Sequence, residues 1–206
     1  MKDTPLLRNL AIAISWILHP YLLPIYLVTL LLVFTAFAHY SANIRIYIFW
    51  VVLLYTVIIP ALSFGMLRSL RTRIDFRIGR YRQQVLPLLI GAICYILCAI
   101  TIAKIPSAIF IRKVMIAAAL CEFLCLLLSP RYKIDRHLMG MGALTAVFVV
   151  LNIIGVGEMF AALLGGILCT GLLASAHLYL GRHNPAQLLI GYSCGFILAF
   201  IALLLL

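Results

Sequence analysis

Long apolar runs, each near or above the roughly 20 residues a helix needs to cross a hydrocarbon layer, recur seven times along this chain. They leave few folds open. In lipid every backbone polar group must be satisfied internally, so only helices and closed barrels span membranes, and the runs lack the period-two alternation of barrel strands. The expectation is an all-α fold, a polytopic transmembrane bundle of six or seven spans. Composition agrees: 66% of the 206 residues are hydrophobic and 10% charged, against roughly 45 to 50% apolar in an ordinary soluble domain. Mean hydropathy is +1.20. No Pro/Gly/Ser-rich linker divides the runs, so residues 1–206 read as a single integral membrane domain.

The formal net charge of +11 lies in short loops between spans. There it reads as topology signal and lipid headgroup contact. A basic loop alone supplies no base-reading element, so no nucleic-acid partner is expected. Lys2 and Arg8 precede an apolar run that continues to about Ala38, longer than the roughly 7 to 15 residues of a signal h-region, so no cleavable signal is expected. His19-Pro20 and Pro24 fall inside that run, and proline removes a helix hydrogen bond. A short amphipathic helix to Leu18 and a first span from Tyr21 to Phe37 follow. His19 reads as a structural histidine held by carbonyls freed at the break.

A second run, about Ile46 to Leu67, leads into a basic loop of Arg68, Arg71, Arg73, Arg77, Arg80 and Arg82, with Asp75 its one acid. The loop is either a positive-inside anchor or a source of arginines turned inward to grip phosphate bidentately. The third and fourth runs, Val85 to Ala103 and Ser107 to Leu128, are joined by so few residues that they form an antiparallel hairpin. Cys94 and Cys98 on one helix and Cys121 and Cys125 on the other are spaced i, i+4. Helical rise puts the two pairs at different depths, so all six cysteines read as small apolar packing residues rather than a metal site. Glu122 is the only acid well inside an apolar run. It lies about 13 Å from the Arg131 end by helical rise and needs a partner.

A second polar segment, Arg131 to His137, precedes a run bearing Gly140, Gly142 and Ala143, small residues that suit a central, closely approached helix. After a turn near Gly155 and Gly157, the run from Met159 to Leu173 opens onto a third polar stretch, Ala174 to Tyr192, holding His177, Arg182, His183 and Gln187. Gly191 and Gly195 in the last run have GxxxG spacing, a mark of close contact. Two-span hairpins separate the basic loop, the Lys133 to His137 segment and the His177 to Gln187 segment. Parity therefore puts all three at one membrane surface, where they can share a pocket.

Two histidines among several cations suit phosphoryl transfer: one imidazole attacks phosphorus, another protonates the leaving oxygen, and cations hold the equatorial oxygens. That scheme needs no metal or cofactor. The order of these elements resembles the type 2 phosphatidic acid phosphatase and vanadium haloperoxidase superfamily, in its small membrane lipid-phosphatase branch, over Arg77 to Gly195. That family carries a basic stretch ending Arg-Pro, then Pro-Ser-Gly-His, then Ser-Arg, five residues, His, three residues, Asp. AHLYLGRHNPAQ keeps the spacing of the third motif. The resemblance puts His183 at the nucleophile, His177 at the phosphate-binding arginine, and Ala176 and Gln187 at the serine and aspartate. KIDRHLMGMG puts His137 at the acid histidine with Lys133 nearby, without the Pro-Ser-Gly lead-in. In the first motif Leu86, rather than arginine, precedes Pro87.

The resemblance implies a histidine-nucleophile phosphatase for a phospholipid or polyprenyl phosphate or pyrophosphate, in a bacterial inner membrane. The catalytic set would be His183, His137 and Gln187, and the substrate binders His177, Arg182, Lys133, Arg80, Arg82 and Glu122. A neutral glutamine stabilises an imidazolium poorly, and a histidine is no permanent bidentate cation. Arg182, Arg80, Arg82 and Lys133 could restore charge, with Glu122 as an orienting acid. The alternative is a catalytically inactive relative that binds lipid headgroups or serves as a subunit of a membrane complex. The excess of Lys and Arg on the motif side points to a cytoplasmic site, whereas the resembled bacterial enzymes work on the outer face.

Overall fold

A computed structural model describes residues 5–73, 80–128, 134–155 and 159–205, without the side chains of 36, 67–73 and 80–84. Every regular element among them is helical. α1 (Pro5–Ile17) ends at the break before His19-Pro20, and α2 (Leu23–Phe34) restarts with Pro24 in its first turn, where a missing N–H costs nothing. A 3-10 turn at Ala36–His39 leads to α3 (Ala42–Leu53), which passes through a π turn at Leu54–Ile58 directly into α4 (Ile59–Arg73). α5 (Arg80–Ile102) and α6 (Ile109–Leu128) form the expected hairpin around a 3-10 turn at Pro106–Ala108. α7 (Arg136–Ile154), α8 (Phe160–Tyr179) and α9 (Pro185–Leu205) complete the chain.

Among the described residues five helical segments are long and apolar enough to cross a membrane: Ala42–Met66, Val85–Ile102, Arg136–Ile154, Phe160–Tyr179 and Pro185–Leu205. The chain is accordingly an integral membrane protein. α6 matches them in length but carries Arg112, Lys113 and Glu122, and α2 spans only 12 residues. The outward faces suit lipid. Trp16, Phe34, Leu62, Leu127, Ile153, Leu168 and Leu189 are each more than 60% exposed, a dispersed apolar surface that water would penalise. Hydroxyls within the helices are satisfied locally: Thr29, Thr35, Ser63, Thr145 and Thr170 donate to the carbonyl four residues back. Those bonds remove the need for a partner in hydrocarbon.

α7 is central, packed most extensively on α9 and also against α6 and α8. Small residues make this contact. A Cβ on Gly191 would lie 2.9 Å from the Asp135 carbonyl oxygen, and Cβ atoms on Gly142 and Gly195 would overlap the Tyr192 and Met139 carbonyls. Ala117, Ala146, Ala199 and Ala202 extend the seam across α6, α7 and α9. With side chains this short the backbones approach closely, and dispersion replaces the hydrophobic drive that lipid cannot supply. The seam fixes where the N-terminus of α7 stands relative to that of α9. The cysteines are unpaired, and Cys94, Cys98, Cys121 and Cys125 are buried as packing residues.

Candidate functional site

Asp135 stands at the centre of the site. It occupies the N-cap of α7 with extended backbone, and its Oδ1 accepts the N–H groups of His137 at 2.8 Å and Leu138 at 3.4 Å. This is the usual way an aspartate satisfies orphan donors at a helix start. The side chain is 1% exposed. Its second oxygen, Oδ2, bonds His177 Nδ1 and lies 3.9 Å from His183 Nε2, while His137 Nδ1 is 3.5 Å from Oδ1.

His177 reaches this point from the last turn of α8. The helix closes there in a Schellman motif: Gly181, at φ +62°, gives its N–H to the Leu178 carbonyl, and Arg182 gives its N–H to the His177 carbonyl. Gly181 supplies the left-handed residue that a side chain would resist. The turn brings His183 back over the same carboxylate. α9 then begins with Asn184 as cap, Pro185 next, and the Gln187 Oε1 accepting the Asn184 N–H at 3.2 Å, the reciprocal half of a capping box.

The imidazoles form a chain. His137 meets His177 edge to face with centroids 5.0 Å apart, and His177 stacks near His183 at 6.1 Å. His19, from the break between α1 and α2, meets the other side of His137 at 5.3 Å. Its Nδ1 accepts the Tyr21 N–H at 3.4 Å, so it is held by a backbone donor rather than by the freed carbonyl expected from the sequence. Burial, together with the nearby His137 and Arg136, pushes its pKa down to about 4. For Asp135, burial favours the neutral acid, but hydrogen bonds from His137 and His177 outweigh it and hold the carboxyl well below the usual range. An ionised carboxylate only accepts, so His177 Nδ1 carries the proton in their bond. That leaves His177 Nε2 buried without a partner, as is His183 Nδ1.

The structure thus brings together His137, His177 and His183 from the expected set. His177 is 1% exposed and engaged by Asp135, whereas His137 and His183 are open at 19% and 23%. Gln187 is turned to Asn184 and does not orient His183. Arg182 lines a separate opening of about 320 Å³ with Arg8, Ile12 and Tyr179. Glu122 lies in another cavity, of about 70 Å³, among Pro20, Tyr95, Arg136 and Met139, with Oε2 lacking a partner. The helical offset that carries His137 to one face of α7 carries Met139 and Gly140, which line the Glu122 cavity, to another. Lys133 lies outside the described residues, as do the side chains of Arg80 and Arg82.

Sequence reasoning passed over Asp135 and set His19 aside. Asp135 carried a legible signal, an aspartate immediately before an apolar helical run; that its other oxygen would meet two more histidines depended on the α7–α9 contact.

Fold and cluster together define a class: a polytopic helical membrane protein with a buried carboxylate and its imidazoles gathered at one end of the bundle. Beyond the class no kinship is visible, since no family model, no curated protein and no solved structure matches the chain.

Proposed function

We propose that the protein is a membrane-embedded hydrolase of phosphorylated or pyrophosphorylated lipids, working at the Asp135 cluster. The observation that carries this reading is the pairing of two partly open imidazoles, His137 and His183, on one buried carboxylate. In the reaction His183 attacks phosphorus while the bond to the leaving oxygen breaks. His137 gives that oxygen its proton, and water then cleaves the phosphohistidine. Asp135, 3.9 Å from His183, steadies the imidazolium that forms, the part an aspartate plays in histidine-based catalysis and for which Gln187 is unsuited. Arg80, Arg82 and Lys133 would supply the cations for the phosphate, since Arg182 lines a separate opening. Six or seven spans, with α6 and α2 completing the set, would keep the site at one surface of a bacterial inner membrane.

The test is phosphate release from phosphatidic acid and polyprenyl pyrophosphate by the purified chain, with His183→Ala beside it. Release that disappears in the variant supports the hydrolase. A second reading, a headgroup-binding relative or subunit without turnover, is favoured by one observation: Asp135 already engages Nδ1 of His177, the residue at the phosphate-gripping position of the resembled motif. Equal, background release from both proteins on both lipids would select it.

A further inference from the structure

Three imidazoles directed at one buried carboxylate are more than a helix cap and its partner require. A single Asp135–His177 hydrogen bond would occupy the carboxylate oxygen left free by the helix cap. It does not explain why His137 Nδ1 and His183 Nε2 also approach the carboxylate, at 3.5 and 3.9 Å. Neutral rings presenting N–H groups there would bring the donors facing the carboxylate to five, counting the His137 and Leu138 amides, against about four lone-pair sites, and three protonated rings with centroids 5.0 and 6.1 Å apart would repel one another. A cation held by ring nitrogens and carboxylate together removes both conflicts.

We propose that Asp135, His137 and His177 bind one divalent first-row transition-metal ion of the zinc type, with His183 beside its open position. One ligand atom from each of the three residues lies within 4.8 Å of the others. Ligands about 2.0 to 2.1 Å from a tetrahedral ion stand about 3.4 Å apart, close to the 3.5 Å between His137 Nδ1 and Asp135 Oδ1. The ion therefore needs a small separation of Asp135 from His177 and an ångström-scale inward movement of the widest pair. Two histidines and a carboxylate with a vacant fourth position form a donor set used by zinc and by non-haem iron. The carboxylate is already oriented as such sites require, by the His137 and Leu138 N–H groups on Oδ1. Imidazole nitrogen rules out the oxygen-only preference of Mg²⁺ and Ca²⁺.

The proposal stands independently of the hydrolase reading. An ion held there takes His137 from the proton-donor role, so loaded and stripped proteins are distinct states of the site. His183, not among the three ligands, stays available to either.

The experiment uses the full chain purified in detergent without a polyhistidine tag, stripped with EDTA and titrated with Co²⁺, then with Zn²⁺ in competition. The expected result is about one Co²⁺ per chain, with the visible d–d bands of a nitrogen- and oxygen-ligated site of low coordination number, displaced by Zn²⁺. Asp135→Asn, which keeps the cap acceptor, and His177→Gln should weaken binding by at least the roughly 10- to 100-fold that loss of even an outer-shell partner costs. His39→Gln, outside the cluster, should bind as the unsubstituted chain does. Size-exclusion profiles establish that each variant remains folded. No d–d bands in the unsubstituted protein at micromolar Co²⁺, or equal affinity in Asp135→Asn, overturns the site. Binding without phosphate release keeps the metal site and removes the hydrolase; release without binding does the reverse.

Discussion

Replacing Asp135 tests the cluster most directly, because its two oxygens do different work. In Asp135→Ala the α7 cap is lost, at a cost of about 1 kcal/mol. His177, at 1% exposure, is left with a buried N–H that has lost its acceptor, at a cost of about 1–3 kcal/mol. The sum is about 2–4 kcal/mol. Asp135→Asn retains a cap acceptor and should lose only the pairing component. Because removing both partners leaves neither one stranded, Asp135→Ala with His177→Ala should cost less than the two single changes together, with a coupling of about 2–3 kcal/mol. The assay is SDS-driven unfolding in mixed micelles followed by far-UV circular dichroism, with EDTA present so that no metal contributes. Acid adds a second signature. A carboxyl held below its unfolded value of 3.8 contributes stability that is complete above that pH and is lost as pH falls below it. Each unit costs about 1.4 kcal/mol, a slope that Asp135→Asn should lack. Single changes that add to within about 0.5 kcal/mol, with an unchanged acid slope, would refute the buried pair.

The α7–α9 seam predicts that Gly195→Ala, whose Cβ would overlap the Met139 carbonyl, destabilises by at least the roughly 1–3 kcal/mol of overpacking; Gly165→Ala, with open space around it, is the matched control in the same unfolding assay. Glu122→Met removes a buried acid whose Oε2 has no partner. It should stabilise by about 1–3 kcal/mol, and phosphate release or Co²⁺ binding should stay unchanged, since Glu122 lines a different cavity. Gln187→Ala should cost about 0.5–1.5 kcal/mol for the lost bond to Asn184 and leave His183 chemistry within about threefold; a loss of release comparable to His183→Ala would restore an orienting role to Gln187.

Much of this molecule is legible from the order of its residues because the solvent enforces it. Lipid leaves unpaired backbone no alternative to helix, so the apolar runs became helices, His19-Pro20 became the first break, and the Ser107 to Leu128 run returned along α5. Gly142, Gly191 and Gly195 announced a close contact because only small residues permit one. The parity of the hairpins anticipated that His137 and His183 would share a surface. Local chemistry also foretold more than was taken from it: Asp135 before α7 and Asn184-Pro185-Ala186-Gln187 before α9 are ordinary helix starts, and the second assigns Gln187 to a cap rather than to catalysis.

What the sequence could not determine was the set of neighbours each polar group would find, since that depends on helix rotation and on register between segments far apart in the chain. A step of two or three residues along α7 separates His137, facing the carboxylate, from Met139 and Gly140, facing Glu122. Glu122 and the histidines therefore occupy different spaces, although their depths in the chain allowed one. The tertiary structure alone decided that Asp135 would spend one oxygen on its helix and turn the other toward His177 and His183. The physical reason is the glycine seam, which brings α9 within contact of the Asp135 carbonyl and so brings the loop before α9 over the side chain.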